Sequence, residues 1–181
     1  MSQASVKEAL TGTIGAIQAN PAIANVVFRA QTEWKGDVSC QVNIRDFDPI
    51  TIDEPPELGG QDSGANPVEL VLGALGTCQE IMYAAYASVM DIELTAVRVN
   101  ARGYLNLKGL FGLDESVPAG YSRITFETEI ESPADDESLR KLIETVESHC
   151  PVMDILTRPM NISGTAKANG RELHRLTSNA A

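Results

Sequence analysis

Hydrophobic and polar positions change period several times along the 181-residue chain, and each change marks an element. In SVKEALTGTIGAIQAN, residues 5–20, Val6, Leu10, Ile14 and Ile17 share one helical face, and Ser5 with Glu8 has the spacing of a capping box. Asn20-Pro21 ends that helix. NVVFRAQTEW then alternates, with Val26, Phe28, Ala30, Thr32 and Trp34 on one side. DVSCQVNI alternates through Val38, Cys40, Val42 and Ile44. Lys35-Gly36-Asp37 between the two runs is a turn, so together they predict a hairpin. A short strand near 49–52 follows.

Residues 53–67, DEPPELGGQDSGANP, read as a loop from their proline, glycine and acidic content. The loop runs into a strong helix start, in which Asn66 caps, Pro67 takes the first helical position and Glu69 stands three residues after the cap. The spacing predicts a helix from 67 to about 90. Its first half, VELVLGALG, is apolar on nearly every side and carries Gly73 and Gly76, which predicts burial on most sides and close approach of other backbone. IELTAVRVNARGYL predicts a long strand and KGLFGLDESVPAG an irregular connection. YSRITFETEIES predicts a strand with Ile124, Phe126, Thr128 and Ile130 inward and Arg123, Glu127 and Glu129 outward. SPADDESLRKLIETVESH predicts an amphipathic helix capped by Ser132, with Pro133 at its start and a stripe of Leu139, Leu142, Ile143 and Val146. CPVMDILT predicts a short helix, MNISGTAKA a last strand, and RELHRLTSNAA a frayed helix or disordered tail. Helices and antiparallel strands in this order define an α+β fold.

Composition narrows the function. Hydrophobic residues make up 43% of the chain but aromatics only 5%, so the core is built mainly from Val, Ile, Leu and Ala. The formal net charge of −11 argues against nucleic acid and anionic membrane surfaces as partners. MSQASVKEAL has no basic segment leading into an apolar one, so no signal peptide is expected, and no apolar run is long enough for a membrane span. Three cysteines do not make a disulfide framework. The expectation is a cytoplasmic protein in which any disulfide is transient chemistry. His149 and His174 lack the paired spacings of a zinc site, and neither a phosphate-cradling glycine loop nor a Ser/His/Asp set is signalled, so no metal or cofactor is expected.

The cysteines are then the candidate chemistry. Cys40 is in phase with Val38 and Val42 and reads as a small packed hydrophobe. Cys78, inside the long helix, reads either the same way or as a reactive thiol. Cys150 directly precedes Pro151, where a helix begins, so its sulfur is expected to face unpaired N–H groups and the positive end of the helix. A free thiol has a pKa of about 8.5, and a drop of roughly two units makes thiolate the major form at neutral pH. On physics alone Cys150 is the better activated thiol. His149 beside it does not form a dyad, because adjacent helical residues point in different directions.

DEPPELGG, ANPVELVLGALGTC and, further on, HCPVMDIL together resemble the OsmC/Ohr family, the osmotically inducible and organic hydroperoxide resistance proteins. The resemblance runs from the first hairpin to the last strand, and WKGD at 34–37 and SRITFETEIES occupy matching places. It implies an OsmC-like fold, with antiparallel sheets packed around a long central helix in an intertwined homodimer. The whole chain, 1–181, is then one domain, with a helical extension over 1–21, a core over 22–168 and a tail over 169–181. The resemblance also implies a thiol peroxidase acting on organic hydroperoxides or hydrogen peroxide without metal or flavin. Cys78 attacks the peroxide and becomes a sulfenic acid, Cys150 resolves it as a disulfide, and a dithiol reductant, a lipoyl protein or a thioredoxin-like one, reopens the bond. This reverses the physical ranking of the two thiols.

Two positions depart from the family pattern. Its glutamate stands ten residues before the reactive cysteine, where this chain has Val68; Glu69 follows, and fits the helix cap as well as it fits a catalytic acid. The family's arginine comes from the first hairpin turn or from the loop before the NP motif. Here the turn offers Lys35, a point charge without arginine's planar fork, and the loop has no base. Arg29 and Arg45 are possible substitutes, or solvent-facing strand charges. These departures keep a second reading open: a non-enzymatic small-molecule-binding or redox-sensing protein of the same fold.

Overall fold

Asn66, Pro67 and Glu69 start the helix around which the rest is arranged. In the computed structural model, which describes residues 2–178, the Asn66 side chain accepts the Glu69 N–H at 2.9 Å and the Glu69 carboxylate accepts the Asn66 N–H at 2.9 Å. That reciprocal cap contributes about 1 kcal/mol. Pro67 loses nothing there, because a first-turn N–H has no intrahelical partner.

The chain begins with α1 (Gln3–Ala19), a 3-10 turn over Pro21–Ala24, and a three-stranded antiparallel sheet of β1 (Gln31–Gly36), β2 (Ser39–Asn43) and β3 (Ile50–Ile52). The central α2 (Pro67–Val89) leads to β4 (Ala96–Leu105), a single turn α3 (Leu107–Leu110) and β5 (Tyr121–Glu131). Strands β4 and β5 pair antiparallel along their length. The chain continues with α4 (Asp136–His149), α5 (Pro151–Thr157) and a hairpin of β6 (Ile162–Ala168) and β7 (Arg171–Ser178). This is the expected α+β architecture with antiparallel pairing.

The core lies where α2, α4 and the β4–β5 sheet meet. Tyr83, Ala87, Ile92, Leu142 and Val146 are buried there, with Met82, Tyr86, Val97, Ile130, Leu139 and Ile143 packed round them. Gly76 lets α2 approach β4, and Val99 fills the space beside it. The opposite side of α2 is open in the single chain: Gly73, Ala74, Thr77, Ile81 and Ala84 are exposed. Burial on most sides, expected from VELVLGALG, is therefore met on one face only. The β1–β3 sheet and the β6–β7 hairpin do not pack on the core.

Several boundaries differ from the pattern reading. Helix α1 starts earlier, because Ser2 and not Ser5 supplies the cap; the Ser5 N–H donates to the Ser2 hydroxyl at 3.3 Å. Residues 25–30 are extended but unpaired, so the first hairpin begins only at Gln31. Asp135, not Ser132, caps α4, because the Ser132 hydroxyl is committed to the Glu93 carbonyl. Residues 171–178 are a strand and not a frayed tail, since they find a full antiparallel partner in β6. The last residues of that tail, 179–181, lie outside the described part.

The loop before α2 is built on one carboxylate. Asp53, 3% exposed, accepts the N–H groups of Glu54, Gln61 and Ser63 and the Ser63 hydroxyl, the last at 2.7 Å. Gly60 passes so close to the Glu54 carbonyl that any Cβ would collide with it. The Ser63 hydroxyl and N–H, with the other donors, hold the Asp53 carboxyl at about 2 against an ordinary 3.8. A depressed acid contributes stability above its unfolded pKa and loses it as pH falls toward its folded one. Asp53→Asn is therefore expected to lower the thermal midpoint at neutral pH, with the gap from wild type closing between pH 3.8 and about 2. Thermal melts across that range check it; a gap independent of pH contradicts it.

Candidate functional site

Cys150 closes α4 and opens α5 in one residue, with an extended backbone (φ −72°, ψ 113°). Pro151 has no N–H, so the first free donor of α5 is Val152. The Cys150 side chain does not take it. The Val152 N–H instead acts on the Cys78 thiol of α2, favouring its ionised form. This corrects the expectation that the helix start serves Cys150: the donor goes to the thiol facing it in space. The Cys150 thiol is close enough to act on Cys78 as well, in the opposite direction. Cysteines 72 positions apart in sequence thus meet at one corner, both as free thiols, with Cys150 only 1% exposed and Cys78 half-buried.

Burial pushes the Cys78 thiol above its ordinary value, and the adjacent Cys150 pushes it in the same direction; the Val152 N–H pulls against both. Among the described residues, no cation acts on it. Lys35 pairs with Glu33 at 2.7 Å on β1. Glu69 serves the helix cap and lies about 13 Å from Cys78 along α2. Arg29 and Arg45 lie together beside Phe28 and Asn43, with the Arg45 guanidinium 4.4 Å over the Phe47 ring. Cys40 sits on β2 opposite Trp34 and Ile52 and is half-buried. His149 turns away from the thiols: its ring lies 5.6 Å from that of Tyr86, and its Nδ1 is 2.9 Å from the Thr145 carbonyl. Among the described residues, no group of three His, Cys, Asp or Glu side chains is placed to hold a metal, and no helix is long and apolar enough to cross a membrane.

Beside the cysteine corner, β5 and α5 enclose a cavity of about 410 Å³, within the range of small-ligand sites. Leu75, one turn before Cys78, and Met153, next to Val152, reach into its lining. Ile124, Phe126 and Leu156 make the rest largely apolar, while Tyr121 and Arg123 bring polar groups. The strand alternation put Arg123 on the outward side and left Tyr121 unremarked. Only the pairing register, which sets Tyr104 opposite Arg123, reveals the contact.

The sequence profile of the OsmC-like protein family matches residues 60–164, more than half of the chain. The chain belongs to that family. It is 29% identical to a hydroperoxide reductase of Mycoplasma genitalium over 110 residues, 59% of this chain and 71% of that one. Its fold is similar to the crystal structure of an OsmC-like protein from Mycoplasma pneumoniae, with TM-score 0.63, 20% identity, and 73% and 88% of the two chains covered. It is also similar to the organic hydroperoxide resistance protein OsmC of Legionella pneumophila, with TM-score 0.56, 18% identity, and 74% and 92% covered.

Removing the neighbouring thiol takes away two of the causes that raise Cys78. In a Cys40→Ser background, Cys150→Ala is expected to shift the pH profile of Cys78 alkylation by iodoacetamide to lower pH. A profile unmoved or shifted upward would show that the two thiols do not interact in solution.

Proposed function

We propose that the chain is a two-cysteine thiol peroxidase that reduces organic hydroperoxides or hydrogen peroxide. One observation carries this reading: Cys78 and Cys150 meet at the first turn of α5, beside an apolar cavity of ligand size. The Cys78 thiolate attacks the terminal peroxide oxygen. The O–O bond breaks, and the alkoxide leaves and takes up a proton as the alcohol. Cys78 is now a sulfenic acid. Cys150 attacks its sulfur, water leaves, and a Cys78–Cys150 disulfide forms. A dithiol, either a lipoyl or a thioredoxin-like protein, returns the two electrons by thiol–disulfide exchange. The hydroperoxide reductase relative supports the same chemistry.

The cation that makes Cys78 a thiolate comes from a second copy in this reading. Supporting it, Phe28 is 91% exposed, Trp34 69% and Ile81 67%, more large apolar surface than a monomer ordinarily leaves in water. A homodimer that covers the open face of α2 with the first sheet of its partner also brings Lys35, Arg29 or Arg45 toward the partner's cysteines. The engagement of Lys35 with Glu33 and of Glu69 with its cap favours a second reading, a binding or redox-sensing protein in which turnover is slow.

One equivalent of alkyl hydroperoxide is expected to remove two free thiols per chain and yield a peptide linking the segments of Cys78 and Cys150 by mass spectrometry. Cys78→Ser abolishes both. Loss without catalytic turnover under excess dithiol supports the sensor, and no loss supports the binder. Ile81→Glu places a charge on the open face of α2. Analytical ultracentrifugation is expected to show a dimer for wild type and a monomer for the variant; a wild-type monomer overturns the assembly.

A further inference from the structure

The cavity lining contains a single formal charge, Arg123, in a chain whose net charge is −11. Its guanidinium lies 4.0 Å from the ring centroid of Tyr104, its direct partner across the β4–β5 ladder. Stacking occupies the face of the guanidinium and leaves its edge of N–H donors available. Among the described residues no carboxylate pairs with it and no acceptor takes its N–H groups. Glu69, at the start of α2, is held by the Asn66 N–H and forms no ion pair with Arg123. Ile124 and Phe126 of the same strand make the lining apolar together with Leu75, one turn before Cys78, and Met153, next to Val152; neither cysteine is itself in the lining.

We propose that Arg123, fixed on Tyr104, is the specificity-determining residue for organic hydroperoxides that carry an anionic group. The apolar body fills the cavity with the peroxide end toward Cys78, and the anion takes the guanidinium edge. This rests on the peroxidase reading for its substrate but not for its binding geometry. The structural alternative is that Arg123 only braces the end of the β4–β5 ladder as a cross-strand pair. That role stabilises the sheet without distinguishing one substrate from another.

The test uses cumene hydroperoxide and its para-carboxylate, with dithiothreitol as the dithiol. Wild type is expected to show the lower KM for the carboxylate, and Arg123→Gln to reduce the KM ratio of neutral to anionic substrate about tenfold, the loss of one charged hydrogen-bonding partner. Arg123→Lys keeps part of that ratio. The ratio does not depend on the fraction of folded enzyme, so a merely destabilised variant does not mimic the effect. An unchanged ratio in Arg123→Gln overturns the proposal. If wild type consumes neither peroxide while Cys78 and Cys150 remain reduced, the peroxidase reading has failed on its own. The two corresponding alcohols, titrated calorimetrically as unreactive ligands, then decide on Arg123: tighter binding of the carboxylate that is lost in Arg123→Gln supports it, and equal binding overturns it.

Discussion

One backbone N–H, that of Val152, ties the two halves of the candidate site together. Pro151 supplies no donor, and the Cys150 side chain leaves the next one unclaimed. A first-turn N–H has no acceptor within its own helix, so this corner of the chain is open to a partner from elsewhere. Cys78 provides a sulfur on the facing helix. Its distance from the corner is set further back, where Leu142 and Val146 on α4 lock against Tyr83 and Ala87 on α2. The core thus acts at the site through register. If α4 slid by one turn along α2, the N–H and the Cys150 thiol would both miss Cys78.

That arrangement holds the thiols together without ionising the first of them. Burial dominates at Cys78, and one N–H does not outweigh it. An attacking thiolate is favoured by a positive charge beside it, and no cation among the described residues acts on Cys78. Phe28 and Trp34, before and in the first sheet, and Ile81 on the open face of α2 are left open to water. Missing charge and uncovered apolar area are two consequences of one situation: the first sheet does not fold onto its own core. A second copy would answer both at once.

Elements with strong local signals were legible in the sequence. The Asn66-Pro67-Glu69 start and the alternation of β5 report short-range physics and match the structure, and the first hairpin forms with its turn shifted to Asp37-Val38. Where two local signals competed, spatial partners decided. Ser132 has the chemistry of a cap but spends its hydroxyl on Glu93, so Asp135 caps α4. RELHRLTS has no clean period and became a strand because β6 offered a ladder. The cysteine ranking was illegible for the same reason: a helix start is visible in Cys150-Pro151, but which sulfur receives its N–H depends on a neighbour 72 residues away. Arg123 escaped because period-two alternation assigns faces and is silent about which residue stands across the ladder.

The width of the cavity has its own determinant. Gln79 follows Cys78 on α2 and is 1% exposed, with its Nε2 unpartnered and its Oε1 accepting the Thr128 hydroxyl of β5 at 3.5 Å. Thr128 also acts on the buried phenol of Tyr83, one turn along α2. Leu75 lies one turn before Gln79 on the same helical face, and Phe126 lies two residues before Thr128 on the same strand face. These are two of the cavity walls. A polar link between α2 and β5 therefore stands directly behind an apolar pocket and spaces its sides. A Leu at position 79 would satisfy the core better, since an orphaned amide costs about 1–3 kcal/mol, but it would let helix and strand close on each other. Among the described residues the Nε2 stays unpaired, which is the cost of keeping the walls of that pocket apart.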